Sequence, residues 1–236
     1  MFTVALVGPD GAGKTTVSRE LVNQLPIPVK YVYMGINLEA SNMVLPTTRL
    51  LLEIKRRRGG RPDMAGPPDP SKRKRPPKGK LKRALFELKA WARLLNRMAE
   101  ASFRQCVVWW YQARGYVVLF DRHFFLDYYA HDIANPDPNR HLTSRVHGWF
   151  LQHVYPKPHL VICLDAPPEV LFARKGEGSL ELLERRRQEY LQFRGAVKHF
   201  YLVDATQPLN QVVSEVRRII MEFYAAVGSP PVYERQ

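Results

Sequence analysis

The residue pattern with the most specific chemistry lies at positions 8–15. Gly8-Pro9-Asp10-Gly11-Ala12-Gly13-Lys14-Thr15 fits the spacing Gly-x-x-x-x-Gly-Lys-Ser/Thr. Glycines at these places let the backbone wrap so that successive N–H groups face phosphate oxygens. The loop then opens into a helix whose N-terminal amides and dipole favour negative charge. In this pattern Lys14 reaches the β- and γ-phosphates and the Thr15 hydroxyl holds Mg²⁺. The phosphate-binding set is therefore Gly8, Asp10, Gly11, Ala12, Gly13, Lys14, Thr15 and Thr16. Switch proteins, motors and small-molecule kinases share such a loop, so other residues must choose among them.

Asp121-Arg122-His123 follows an apolar run and makes that choice more definite. A carboxylate at a strand end near phosphates can hold Mg²⁺ or accept a proton from the acceptor. The adjacent guanidinium can fork onto a phosphate. Arg174-Lys175-Gly176-Glu177-Gly178 begins a charged, glycine-containing segment at 174–180. Cations that neutralise transferring charge, with glycines as hinges, suit a mobile lid. Arg185-Arg186-Arg187 comes next. A run of like charge on a helix reads as a solvated face.

These residues need elements to position them. Residues 2–7 form a continuous apolar run bounded by Gly8-Pro9, the pattern of a central parallel strand. Helical spacing follows over 14–25, then a strand over 29–34 and helical spacing over 43–54. A long helical pattern spans 81–114 and stops at Gly115. Strands are expected at 116–120, 160–164 and 200–203, each followed by an aspartate: Asp121, Asp165 and Asp204. Helices are expected over 169–175, 180–197 and 209–227. Alternating strands and helices predict an α/β fold, a three-layer sandwich with a five-stranded parallel sheet flanked by helices. Ligands in such sheets sit at the carboxyl ends of the strands, where these aspartates fall.

At 236 residues the chain suits one such domain over 1–236 with an insertion. Its net charge is +14, but residues 55–83 hold thirteen Lys/Arg against two Asp, or +11, leaving +3 for the remainder. Six prolines interrupt that segment, which reads as a disordered insertion. Three uses stay open for it: a solvated loop, a cover over a phosphorylated acceptor, or a polyanion-binding arm. It contains no aromatic residue, so it offers phosphate contact without base stacking. No apolar run reaches the roughly 18–20 residues that span a bilayer. The start lacks the basic and small-residue signals of a secretory leader. Cys106 and Cys163 lie in apolar segments without metal spacing. The expectation is a cytoplasmic protein.

Taken together, these motifs resemble the thymidylate kinases of the nucleoside monophosphate kinase group. The phosphate loop carries an acidic residue, Asp10, as theirs does. Asp121-Arg122-His123 matches their Asp-Arg-Tyr/His signature. Leu164-Asp165-Ala166-Pro167-Pro168-Glu169-Val170 resembles their strand and Pro-Glu segment before the lid. Val203-Asp204-Ala205-Thr206-Gln207-Pro208-Leu209 resembles their segment near the adenine. The resemblance implies a P-loop kinase that uses ATP and Mg²⁺ to phosphorylate a small phosphorylated acceptor, with dTMP the default. It implies Lys14, Asp121, Arg122 and Arg174 as catalytic, and Thr15 and Asp121 at the metal. Asp10 would meet the acceptor sugar or a lid cation, and Arg122 would grip the acceptor phosphate. A homodimer is a further family-level expectation.

The acceptor side departs from the family pattern. The base-reading arginine, about twenty residues before the Asp-Arg pair in the family, is Ala101 here. Arg97 and Arg104 flank it by about one turn, and Arg49 is the candidate for the arginine after the second strand. Two other readings therefore stand beside the first. One is a kinase for a sugar, a nucleic-acid end or another acceptor. The other is a nucleotide-dependent nucleic-acid-binding protein that uses the basic arm.

Overall fold

A computed structural model describes residues 1–34, 43–57, 59, 79–135, 137, 140–176 and 178–228. The strands are β1 (Thr3–Val7), β2 (Val29–Tyr33), β3 (Val117–Asp121), β4 (Leu160–Asp165) and β5 (Phe200–Asp204). They form a five-stranded sheet in the order β2-β3-β1-β4-β5. β1 pairs in parallel with β3 and β4, and β4 pairs in parallel with β5. Burial follows this order. Every residue of β1 and β3 is buried, whereas β2 and β5, at the two edges, each bury one. The continuous apolar runs in the sequence are thus the inner strands, covered on both faces. The register sets Leu6 beside Asp121 and Asp165 beside Asp204, so the aspartates gather at the carboxyl edge.

Helices α1 (Lys14–Gln24), α2 (Pro46–Arg57), α3 (Lys80–Ala113), α4 (Phe124–Tyr128) and α5 (Leu142–His153) precede β4. Helices α6 (Pro168–Lys175), α7 (Leu180–Leu191) and α8 (Leu209–Gly228) follow it. The expected α/β P-loop architecture, a parallel sheet flanked by helices, is what the chain forms. The helices lie close to their predicted places. α2 starts at Pro46, a residue suited to the first helical position because it lacks the N–H that would go unpaired there. α7 ends at Leu191, short of the expected 197. A 3₁₀ turn at Gln192–Gly195 buries Phe193 and breaks the helical phase. Residues 55–57 complete α2 and 80–83 begin α3. Apart from Gly59 and Gly79, the rest of the basic insertion, with the expectation of disorder placed on it, lies outside the described residues, as does Glu177 of the lid segment.

The chain divides into two compact units. The first comprises residues 1–31, 112–121 and 158–236. Its core joins Val4 and Leu6 of β1 to Val17 and Leu21 of α1, and to Val212, Val216, Ile219 and Ile220 of α8. Phe2 closes it with an edge-on contact to Phe223, ring centres 4.9 Å apart. Cys163 lies buried in β4, and burial, with Asp165 adding to it, pushes its thiol up to about 12. Both cysteines are free thiols.

The second unit comprises residues 32–111 and 122–157. α2 is tied to α3 by Asn96 Nδ2, which donates to Thr48 Oγ1 at 2.9 Å. The backbone N–H of Leu45 donates to Glu100 at 3.1 Å. The stretch after Asp121 folds as α4, a π-helical turn at Tyr129–Ile133, and α5. Gly148 of α5 lies so close to this turn that a Cβ there would overlap the Asp132 carbonyl.

Candidate functional site

In the first unit, β1 delivers the chain into the phosphate loop. Gly8 and Gly11 have φ of 140° and 91°, values that L side chains rarely adopt. A Cβ on Gly8 would strike the Leu164 carbonyl, and one on Gly11 the Leu171 carbonyl. The loop is therefore held against β4 and α6 by backbone approach, and glycine is required on both grounds. Gly13 caps α1, and Lys14 opens it. The first amides of α1 lack intrahelical acceptors, which leaves them available to an anion.

Lys14 is buried, and its Nζ donates to the carbonyls of Gly8 and Pro9 at 2.9 and 2.8 Å. The ammonium is thus held at the mouth of its own loop. Exchange of these two neutral acceptors for phosphate oxygens is electrostatically favourable. Thr15 Oγ1 donates to Asp121 Oδ2 at 2.5 Å, and Tyr31 of β2 donates to the same oxygen at 3.0 Å. Asp121 is fully buried, and its Oδ1 has no hydrogen-bond partner among the described residues. A hydroxyl and a carboxylate with a spare buried oxygen make a donor set suited to Mg²⁺, which takes few protein oxygens and completes its octahedron with water and substrate phosphate. Thr16 is exposed on the first turn of α1.

Asp10 receives two cations. Arg186 Nη1 donates to its Oδ2 at 2.9 Å, and Lys175 Nζ stands 3.9 Å from its Oδ1. Of these two cations, Lys175 belongs to the 174–180 segment and Arg186 to α7. Arg187 forks onto Asp165 with bonds of 2.6 and 2.8 Å, and these bonds hold its guanidinium pKa above the ordinary value. The expectation of a solvated face for Arg185-Arg186-Arg187 is therefore corrected. Only Arg185, half exposed and 3.9 Å from Glu189, fits it. Helix phase explains the error, since three consecutive residues span about 200° of a helix and cannot all face water when one side packs. The unmatched acids Asp10 and Asp165 at the strand ends were the available signal. Arg174 lies exposed in the last turn of α6. Asp204 turns back on its own loop: it accepts from the Thr206 hydroxyl and from Gln207, which hold its carboxyl down at about 2.

In the second unit, Arg122 adopts φ 69°, the left-handed region, in a non-glycine residue. His123 follows and is fully buried, and burial drives its pKa down to about 3, so the ring is neutral. Arg104 is also completely buried. Its Nε donates to Glu100 at 2.8 Å, its Nη1 donates to the Tyr33 carbonyl at 3.1 Å, and its guanidinium lies over Phe124. That set of contacts gives Arg104 an interior role. Arg97, with 30% of its side chain exposed, lies over the Tyr128 ring and 3.9 Å from Asp132. Of the two candidates flanking Ala101, Arg97 is the one with a surface to offer a ligand. Arg49 is exposed on α2. Asp132 and His147, which the sequence did not single out, share a 2.6 Å bond beneath Arg97, and burial lowers the His147 pKa. Their only sequence signal was an Asp and a His in an unassigned stretch.

Among the described residues, no helix is long and apolar enough to cross a membrane. No family model matches the chain. Curated relatives do. A probable thymidylate kinase from Archaeoglobus fulgidus is 33% identical over 116 residues, which cover 46% of this chain and 55% of that protein. A thymidylate kinase from Leuconostoc mesenteroides is 35% identical over 75 residues, 27% of this chain and 35% of that one. A probable thymidylate kinase 1 from Saccharolobus solfataricus is 34% identical over 74 residues, 29% and 39% of the two chains. The chain spans about half the length, or less, of the curated relatives it matches. On a P-loop fold with this phosphate loop, the chain is thymidylate kinase-like in sequence.

Proposed function

We propose that the protein transfers the γ-phosphoryl group of ATP to a nucleoside monophosphate, with dTMP as the default acceptor. The observation that carries the reading is the Thr15–Asp121 pair beside Lys14: a hydroxyl, a buried carboxylate and an ammonium at the end of β1 and β3. A simple nucleotide binder needs the loop, but a carboxylate set against its Thr is what phosphoryl transfer adds. The acceptor class is taken from the relatives, which are known or probable thymidylate kinases.

The residues would divide the work as follows. The loop amides and Lys14 bind the triphosphate and stabilise the charge that spreads over the γ-oxygens. Thr15 and Asp121 would hold Mg²⁺, which screens the β- and γ-phosphates when bound. Tyr31 fixes the carboxylate through its hydroxyl. Asp10 holds Arg186 at the edge of the loop, and Arg174 supplies a further cation from α6. Arg122 binds the acceptor phosphate, and Arg97 contacts the rest of the acceptor. Little covalent chemistry falls to the protein, because positioning and charge neutralisation lower the barrier.

The test is a coupled assay of ADP release with Mg-ATP and each common nucleoside monophosphate, with nucleosides and phosphosugars as controls. Turnover with dTMP above the other acceptors is expected. Turnover only with a phosphosugar would move the acceptor to another class, and no phosphoryl transfer to any acceptor would overturn the reading.

A further inference from the structure

The second unit holds a groove that the proposed transfer does not use. Its volume is about 410 Å³, within the range of roughly 300–1,000 Å³ that holds small ligands. Neither Arg97 nor Arg122, the residues offered to the acceptor, lines it. Arg145, Trp149, Gln152 and His153 line it from α5, three or four residues apart, so they share one face of the helix. His147, Phe150 and Leu151 take the buried face. Arg140 joins the lining from just before α5.

One part of the groove is cationic. Arg140 Nη1 donates to the Asp132 carbonyl at 2.7 Å, which fixes the guanidinium. Its Nε is buried and has no hydrogen-bond partner. The Nε–Nη2 edge, one that can fork onto an oxyanion, is thus left without an acceptor among the described residues. A buried, unpaired guanidinium N–H costs free energy that a bound anion would remove. Arg145 is exposed, and no carboxylate among the described residues pairs with either arginine. Asp132, the acid of the lining, has its carboxylate bonded to His147. The other part is aromatic. The Trp149 indole is 60% exposed. His153 stacks on it, ring centres 5.4 Å apart and planes 24° apart, and its Nδ1 donates to the Trp149 carbonyl at 3.0 Å. The indole is therefore a backed, flat plate. Gln152 adds an amide that can both donate and accept.

We propose that this groove is a further binding site for a nucleotide, with the phosphate on Arg140 and Arg145 and the base stacked on Trp149. Two guanidiniums suit a phosphate dianion better than a single carboxylate, and an exposed indole suits the face of a base. Both arginines lie toward the N-terminal end of α5, where the helix dipole adds to the attraction. Arg145 and Trp149 are four residues apart, about 6 Å along the helix axis, which leaves room for a sugar between the phosphate and the base. The site is additional to the phosphate loop and stands whether or not the reaction proposed above is correct.

The test uses the full chain. Calorimetric titration with dTMP, dTDP, AMP and GMP, without Mg²⁺ or ATP, reads binding, and quenching of tryptophan emission reads stacking. At least one nucleotide should bind with an affinity that Arg145→Glu lowers roughly 10-fold or more. Trp149→Ala should lower the same affinity roughly fivefold or more. Trp149→Phe, which keeps a ring, should retain affinity within about threefold and lose the quench. Both positions are exposed, so the thermal midpoint should stay at its original value in all three variants. Arg97→Ala with Arg122→Ala should leave this binding in place, which separates it from the acceptor surface. Inorganic phosphate and the matching nucleosides are the controls, and each should bind more weakly than the nucleotide. No nucleotide binding, or binding that neither Arg145→Glu nor Trp149→Ala alters, overturns the proposal. Phosphate or nucleoside alone binding as tightly as the nucleotide overturns it too, since the groove would then read only a charge or only a ring.

Discussion

At the scale of single residues, the phosphate loop was the most legible part of the chain, because its function depends on backbone shape that only certain residues permit. Lys14→Ala removes the ammonium that donates to the Gly8 and Pro9 carbonyls, so turnover should fall roughly 100- to 1,000-fold or more. The thermal midpoint should hardly move, which scanning calorimetry beside the ADP assay will check. Asp121 was legible from its place after an apolar run, but its partner Tyr31 was not, since no pattern marks one tyrosine on an edge strand as different from another. Arg186 and Arg187 were misread because a charge run says nothing about helix phase until the packed side is known. The surroundings of Arg104 were not legible either, because sequence position does not report that its Nε meets Glu100 and its Nη1 the Tyr33 carbonyl inside.

His123 gives a pH prediction at the same scale. Its pKa falls from 6.5 in the unfolded chain to about 3 in the folded one, because burial opposes the charge. Below pH 6.5 the unfolded chain therefore binds the extra proton while the folded chain does not. Stability is fully present above 6.5 and is lost as pH falls toward 3, by up to about 1.4 kcal/mol per pH unit from this group alone. Denaturant melts of wild type and His123→Gln across pH 4–7 should show a shallower acid limb in the variant. Burial lowers the His147 pKa too, so part of the slope will remain.

At the scale of elements, periodicity located the strands and most helices well, since inner strands and the long α3 impose unambiguous patterns. The stretch from 124 to 157 was not read, and the reason is physical. α4 is five residues long and passes directly into a π-helical turn, so neither segment spans enough turns to show a period. That turn packs against Gly148 of α5 by backbone contact. Gly148→Ala should force the two apart and cost about 2–3 kcal/mol, a drop of several degrees in thermal midpoint for a chain of this size. α3 offers the opposite kind of change. It begins with Lys80 and Lys82 and has no acidic residue in its first turn, contrary to the preference of the helix dipole. Lys80→Glu should stabilise the protein by about 0.3–1 kcal/mol, measured by chemical denaturation at low salt.

At the scale of the whole molecule, the fold class followed from the alternation of strands and helices, and the central place of β1 from its continuous apolar run. The acceptor side was the least legible. It depends on which residues of α3 and of the unassigned stretch meet in space, and 3.6-residue spacing alone leaves Arg97 and Arg104 equivalent about Ala101. The two differ in what surrounds them. Arg97→Ala should raise KM for the acceptor while leaving KM for ATP near its original value, whereas Arg104→Ala should lower stability by about 3–5 kcal/mol through the stranded Glu100. Steady-state kinetics and calorimetry on the pair separate the two roles.

The left-handed backbone of Arg122 has a consequence for how this chain tolerates change. A residue with a β-carbon costs about 1–2 kcal/mol in that conformation, and glycine or asparagine would relieve much of it. On the proposed role of Arg122 at the acceptor phosphate, that backbone cost is the counterpart of placing a guanidinium there. Arg122→Asn is thus expected to yield an inactive enzyme at least as sturdy as the parent. A screen for thermostable variants run without an activity filter would enrich that substitution, and would lose the enzyme while improving the protein.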